Sequence, residues 1–146
     1  MKWIDMMEYI HIAQLIAFIM LLTYAAIIDL KTRTIPDPIP VLIILIGLID
    51  IEPVSAVLGL MLVPLPYFII ALLKENSIGG GDIKLMGACG FYLGFQAGYV
   101  ASVLGLTLAI LIHFAYSVIG SKKANESIAL APYLGAGCLI AYFLVK

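Results

Sequence analysis

The sequence has 146 residues, of which 64% are hydrophobic and only 12% charged, against about 25% charged in an ordinary soluble domain. Most of the chain therefore has no need of water, and a net charge of −1 without charge runs or low-complexity tracts argues against nucleic acid as a partner. The opening MKWIDMMEYIH carries Asp5 and Glu8 where a cleavable signal would be positive, so no such signal is expected.

Six apolar segments follow one another along the chain. They run roughly from His11 to Leu30, Pro38 to Ile49, Pro53 to Leu73, Ile83 to Phe95, Ala97 to Ile119 and Ile128 to Val145. A full crossing takes about 20 residues, so the second and fourth must be extended through their flanks or lie where the bilayer thins. The runs are continuous and lack the period-2 pattern of a membrane barrel, which leaves helix as the sensible structure. The expected fold is all-α: a polytopic membrane protein of about six transmembrane helices, forming one membrane-embedded domain over residues 1–146.

Within these segments most conspicuous residues have structural readings. Asp37-Pro38 fits an N-cap and first helical position. Pro64 and Pro66 should kink the third segment. Trp3, Tyr67 and Tyr92 suit interface anchoring, and His113 suits a hydrogen-bonded packing role. Cys89 and Cys138 read as small apolar packing residues. With His11 and His113 they make no ligand cluster, so neither metal nor cofactor is expected.

The basic residues orient the chain. Lys31 and Arg33, Lys74 and Lys84, and Lys122 and Lys123 fall on one side of a six-span layout, and Lys2 and Lys146 on the other. The positive-inside rule puts the richer side in the cytoplasm and both termini outside.

That layout brings two aspartates to the same depth. Asp29 lies near the end of the first segment and Asp82 at the start of the fourth, both at the cytoplasmic edge. Either alone could be a salt-bridged or solvated interface charge, and Asp82 also fits a helix N-cap. The pair is more suggestive, because two carboxyls sharing a proton can activate water with one and protonate a leaving group with the other. Gly79, Gly80 and Gly81 precede Asp82, and glycines allow a second backbone to approach closely, as an extended peptide substrate would. Lys84 either contacts substrate or snorkels to the headgroups, and Asp37 is a candidate substrate contact.

The run Gly79-Gly80-Gly81-Asp82 resembles the GxGD motif of polytopic aspartyl proteases. Its continuation IKLMGACGFYLG is similar to that of the type IV prepilin and preflagellin peptidases. That family's partner aspartate stands in D-x-x-x-x-x-I/L-P, the form taken here by Asp29 to Pro36. A late P-Y-L-x-x-G-like element is present in Ala131-Pro132-Tyr133-Leu134-Gly135-Ala136-Gly137. The resemblance implies an aspartic endopeptidase in the cytoplasmic membrane with Asp29 and Asp82 catalytic. It would cut the short basic leader from type IV pilin-like precursors, where leader meets hydrophobic helix. The paired C-x-x-C motifs of longer relatives are not in this sequence, so the short form is expected, without zinc or N-methylation.

Two alternatives remain. The presenilin-like intramembrane proteases also use GxGD but pair it with a Tyr-Asp motif, and Tyr24 is not adjacent to Asp29. A proton-coupled transporter would use the carboxylates as a relay, but no internal repeat is evident. A phosphate loop is disfavoured, since G-x-x-x-x-G-K-[ST] is absent.

Overall fold

The computed structural model describes residues 2–75, 77–120 and 128–146, and every regular element among them is helical. Helix α1 covers Lys2–Thr32, and α2 covers Pro38–Gly47, ending in a 3-10 turn at Leu48–Asp50. Helices α3 and α4 cover Pro53–Leu62 and Leu65–Leu73. Helix α5 covers Gly80–Leu93, α6 Phe95–Val118 and α7 Ala131–Val145. Three apolar stretches are long enough to cross a membrane by length and composition: Lys2–Thr32, Pro53–Leu73 and Phe95–Val118. Pro38–Asp50 and Ala131–Val145 are shorter apolar helices. Lys122 and Lys123, used above to orient the chain, lie outside the described residues.

Helix α1 starts at Lys2 rather than near His11, so the first helix is longer than the apolar pattern alone suggested. At about 1.5 Å per residue it is ~46 Å long, well beyond a hydrocarbon core of about 30 Å. The expected kink in the third segment is a break. Helix α3 ends at Leu62, and α4 begins at Leu65 with Pro64 in its N-cap position and Pro66 in its first turn. Proline has no N–H for the ladder and its ring crowds the preceding turn, which is why the helix stops there.

Helix α5 explains why the fourth apolar segment can be short. Every residue from Leu85 to Leu93 is buried, packed among α2, α3, α6 and α7. A helix enclosed by protein need not match the thickness of lipid. Its closest approach is to α3, where a Cβ on Gly59 would fall on the Gly90 carbonyl oxygen and one on Gly90 would fall on that of Gly59. Small residues at such a crossing let backbones touch, the usual means of joining helices where the hydrophobic effect is weak. Helices α6 and α7 join in the same way, with a Cβ on Gly105 only 2.9 Å from the Leu134 Cα.

Two expected interface anchors are instead core residues. Tyr67 is fully buried, its hydroxyl donating to the Ser102 carbonyl at 3.2 Å and accepting from Ser102 Oγ at 3.0 Å. Tyr92 is buried with its ring stacked on Phe18, centroids 4.2 Å apart. Their aromatic character gave the interface reading, but each finds its polar or ring partner inside the protein. Trp3 is exposed, while Cys89 and Cys138 are buried, reduced neighbours in the core.

Other polar contacts lie at the two ends of the bundle. At one end Gln14 Nε2 donates to the Ile46 carbonyl at 3.0 Å and His11 Nδ1 lies 3.5 Å from Asp50 Oδ2. The opposite end holds Asp29 and Asp82.

Candidate active site

Asp29 stands in the last turn of α1. The helix closes through Arg33, a non-glycine residue at φ 54°, whose N–H bonds to the Asp29 carbonyl at 2.8 Å. This left-handed closing residue is the common way to end a helix, though glycine usually fills it. The chain then turns through Thr34 to Ile35, which is buried against the other end of the site. Asp29 is 4% exposed and its Oδ2 accepts a hydrogen bond of 3.0 Å from the backbone N–H of Ala131.

That bond has a clear local cause. The first N–H groups of any helix lack partners within it. In α7 the N-cap residue is Leu130, whose side chain has no acceptor. Asp29 supplies one from across the bundle, and the N-terminal end of the helix dipole favours a carboxylate there. The late Ala131-Pro132-Tyr133 element is thus the floor beneath Asp29. The element is visible in the sequence, but its task is not. The available signal was an apolar residue, Leu130, where a capping side chain belonged.

Asp82 is not the N-cap of α5. The helix begins at Gly80 with Gly79 as its cap, which puts Asp82 in the first turn. Its carboxylate folds back to hydrogen-bond the Gly79 backbone, in the manner of the acidic residue of a capping box. The residue is 7% exposed, and its Oδ1 makes no hydrogen bond among the described residues. Asp29 is near enough to act on Asp82 electrostatically. Two buried carboxyl groups from different helices therefore stand within electrostatic reach of each other at one end of the bundle. One is held by a helix amide, and the other keeps a free acceptor face.

The three glycines do different things. A Cβ on Gly81 would lie 3.0 Å from Ile35 Cβ and 3.3 Å from the Ile35 backbone nitrogen. The close approach at Gly81 is therefore made by the chain's own α1–α2 connection. A Cβ on Gly79 would lie 3.3 Å from Asp82 Oδ2. Gly80 alone is open, with nothing within 4 Å of such a Cβ.

Asp37 and Lys84 find each other. Lys84 Nζ donates to Asp37 Oδ1 at 2.7 Å. Asp37 does occupy the N-cap position of α2, but its backbone is helical and its side chain makes no capping bond. The expected cap is replaced by the ion pair, which lies outside the buried pair of carboxylates. Half-buried His113 lines a groove between α4 and α6 and is not part of the cluster. Among the described residues no three His, Cys, Asp or Glu side chains are grouped to hold a metal ion.

Residues 16–121 match the model of the type IV leader peptidase family. The chain is 29% identical over 133 residues to a prepilin leader peptidase/N-methyltransferase of Bacillus subtilis (strain 168), an alignment covering 87% of this chain and 54% of the relative. It is 30% identical over 124 residues to the protein of the same name from Dickeya chrysanthemi, covering 75% of this chain and 42% of that one. The chain thus spans about half the length of these curated relatives. No solved structure matches it.

Proposed function

The chain belongs to the type IV leader peptidase family, and on that premise we propose that it is a membrane aspartyl endopeptidase. Its substrates would be type IV pilin-like precursors: prepilins, pseudopilins or preflagellins. Its reaction would be removal of their leader peptides. The observation that carries this reading is a pair of buried aspartates, Asp29 at 4% and Asp82 at 7% exposure, within electrostatic reach of each other at one end of an apolar helical bundle.

The chemistry follows from sharing one proton between two carboxyls. The ionised carboxylate takes a proton from water as the water oxygen bonds to the scissile carbonyl carbon. The protonated partner hydrogen-bonds the carbonyl oxygen as charge builds there. When the tetrahedral intermediate collapses, the C–N bond breaks and the nitrogen takes a proton, leaving a new carboxyl and a new amino terminus. No side chain becomes acylated.

We place residues 1–146 in the cytoplasmic membrane as a single peptidase domain of six crossings with both termini outside. The two carboxylates then lie at the cytoplasmic edge, where a leader joins a membrane-bound segment. Protein solubilised in detergent and incubated with a pilin-like precursor should release a shortened product. Proton flux in liposomes without cleavage would instead identify a transporter.

A further inference from the structure

A cavity of about 120 Å³ opens at the end of the bundle that carries the His11–Asp50 contact, away from Asp29 and Asp82. Asp50 and Glu52 line it from the connection between α2 and α3, Ser55 from α3, Gly94 from the α5–α6 turn, and Lys146 from the end of α7. Charges of both signs thus share one small space, yet they do not neutralise each other as Asp37 and Lys84 do. Among the described residues Lys146 makes no ion pair with Asp50 or Glu52. Its ammonium donates instead to the Tyr92 carbonyl at 3.4 Å and lies 4.9 Å from the centre of the Tyr92 ring and 5.8 Å from that of Tyr142. Glu52 stands at the N-cap position of α3 without making a capping bond. Asp50 Oδ2 has only the 3.5 Å contact with His11 Nδ1 among the described residues. Ser55 Oγ accepts from the Phe95 N–H at 3.0 Å, which leaves its own proton to donate.

With the membrane placement given above as the one premise, we propose that this cavity binds the phosphoethanolamine headgroup of a membrane lipid. The lipid's ammonium meets Asp50 and Glu52, and its phosphate meets Lys146 and the Ser55 hydroxyl. Opposite charges held apart around a gap suit a group that carries both signs. The space also fits: a cavity of ~150 Å³ takes a molecule the size of benzene, so this one takes the ethanolamine and an edge of the phosphate while the acyl chains stay outside. A choline headgroup is a poorer match. Carboxylates want N–H donors, which a quaternary ammonium lacks, and the aromatic faces that would hold one are already taken by Lys146. A headgroup with a phosphate and no cation would leave both carboxylates unpaired and repelling it.

Native mass spectrometry of the delipidated protein, titrated with phosphatidylethanolamine, phosphatidylcholine and phosphatidylglycerol of identical acyl chains, tests the assignment. Phosphatidylethanolamine should bind about tenfold more tightly than either of the others, as the gain of a charge-assisted hydrogen bond allows. Glu52→Gln should cut that preference by about threefold or more, and Asp50→Asn/Glu52→Gln should abolish it. Lys146→Gln should weaken phosphatidylethanolamine binding by a similar factor, while Asp37→Asn, at the other end of the bundle, should change nothing. The Glu52 side chain makes no capping bond or ion pair among the described residues, so Glu52→Gln decides alone if the double variant does not fold. Equal binding of the three lipids, a preference for either of the other two, or a preference untouched by Glu52→Gln overturns the assignment. Glycerophosphoethanolamine that binds as tightly as the lipid would identify a water-soluble ligand and overturns it too. None of these readouts uses cleavage, so they stand apart from the peptidase reading.

Discussion

Oδ2 of Asp29 and the backbone N–H of Ala131 are 3.0 Å apart across 102 residues of chain, joining the end of α1 to the start of α7. The bond makes Asp29 a structural residue as well as a candidate catalyst. Asp29→Ala should leave the buried Ala131 amide without an acceptor and cost about 1–3 kcal/mol. Asp29→Asn keeps an acceptor oxygen and should be less destabilised than the alanine variant. Thermal unfolding in one detergent, compared with wild type, separates the two. Equal loss in both would mean that the amide bond does not help to hold α7.

Gly80 and Gly81 should respond oppositely to alanine. At Gly81 the new methyl would press on Ile35 from 3.0 Å and must push the α1–α2 connection aside. Overpacking of this sort costs about 1–3 kcal/mol. At Gly80 the methyl meets nothing, so Gly80→Ala should unfold like wild type yet cleave precursor poorly, because it fills the space left for substrate. Unfolding temperatures and initial cleavage rates of the two variants decide the matter. A Gly80→Ala enzyme with wild-type rates would remove that glycine from substrate access.

The proposed orientation can be read by thiol labelling in intact cells. In a Cys89→Ala/Cys138→Ala background, a cysteine at Glu52, between α2 and α3, should react with an impermeant reagent applied outside. A cysteine at Glu75, beyond α4, should stay protected. The reverse pattern would put Asp29 and Asp82 at the external face.

Much of this architecture was legible from hydropathy, because an apolar run in lipid must satisfy its backbone as helix. That Asp29 and Asp82 lie toward the same end of the bundle was legible too, because charged residues are scarce in this chain and each one stands out. What escaped the sequence was partnership. Tyr67 and Tyr92 have the chemistry of interface residues, but Ser102 and Phe18 meet them inside. Asp37 has the spacing of a cap, but Lys84, 47 positions away, claims its carboxylate. The glycines of the GGGD run looked equivalent. Only the position of Ile35 distinguishes Gly81, which packs against the chain itself, from Gly80, which is open. The role of Ala131 lay in a main-chain amide, whose sign in the sequence is no more than the apolar Leu130 at the cap position.

In the proposed reaction Asp29 and Asp82 act together on one peptide bond. The most direct test is cleavage of a purified pilin-like precursor by wild type, Asp29→Asn and Asp82→Asn in the same lipid nanodiscs, each first verified as folded. Wild type should yield a shortened product, and each variant should lose at least ~10²-fold in rate, as expected when a general acid or base is removed. Near-normal processing by either variant would contradict it.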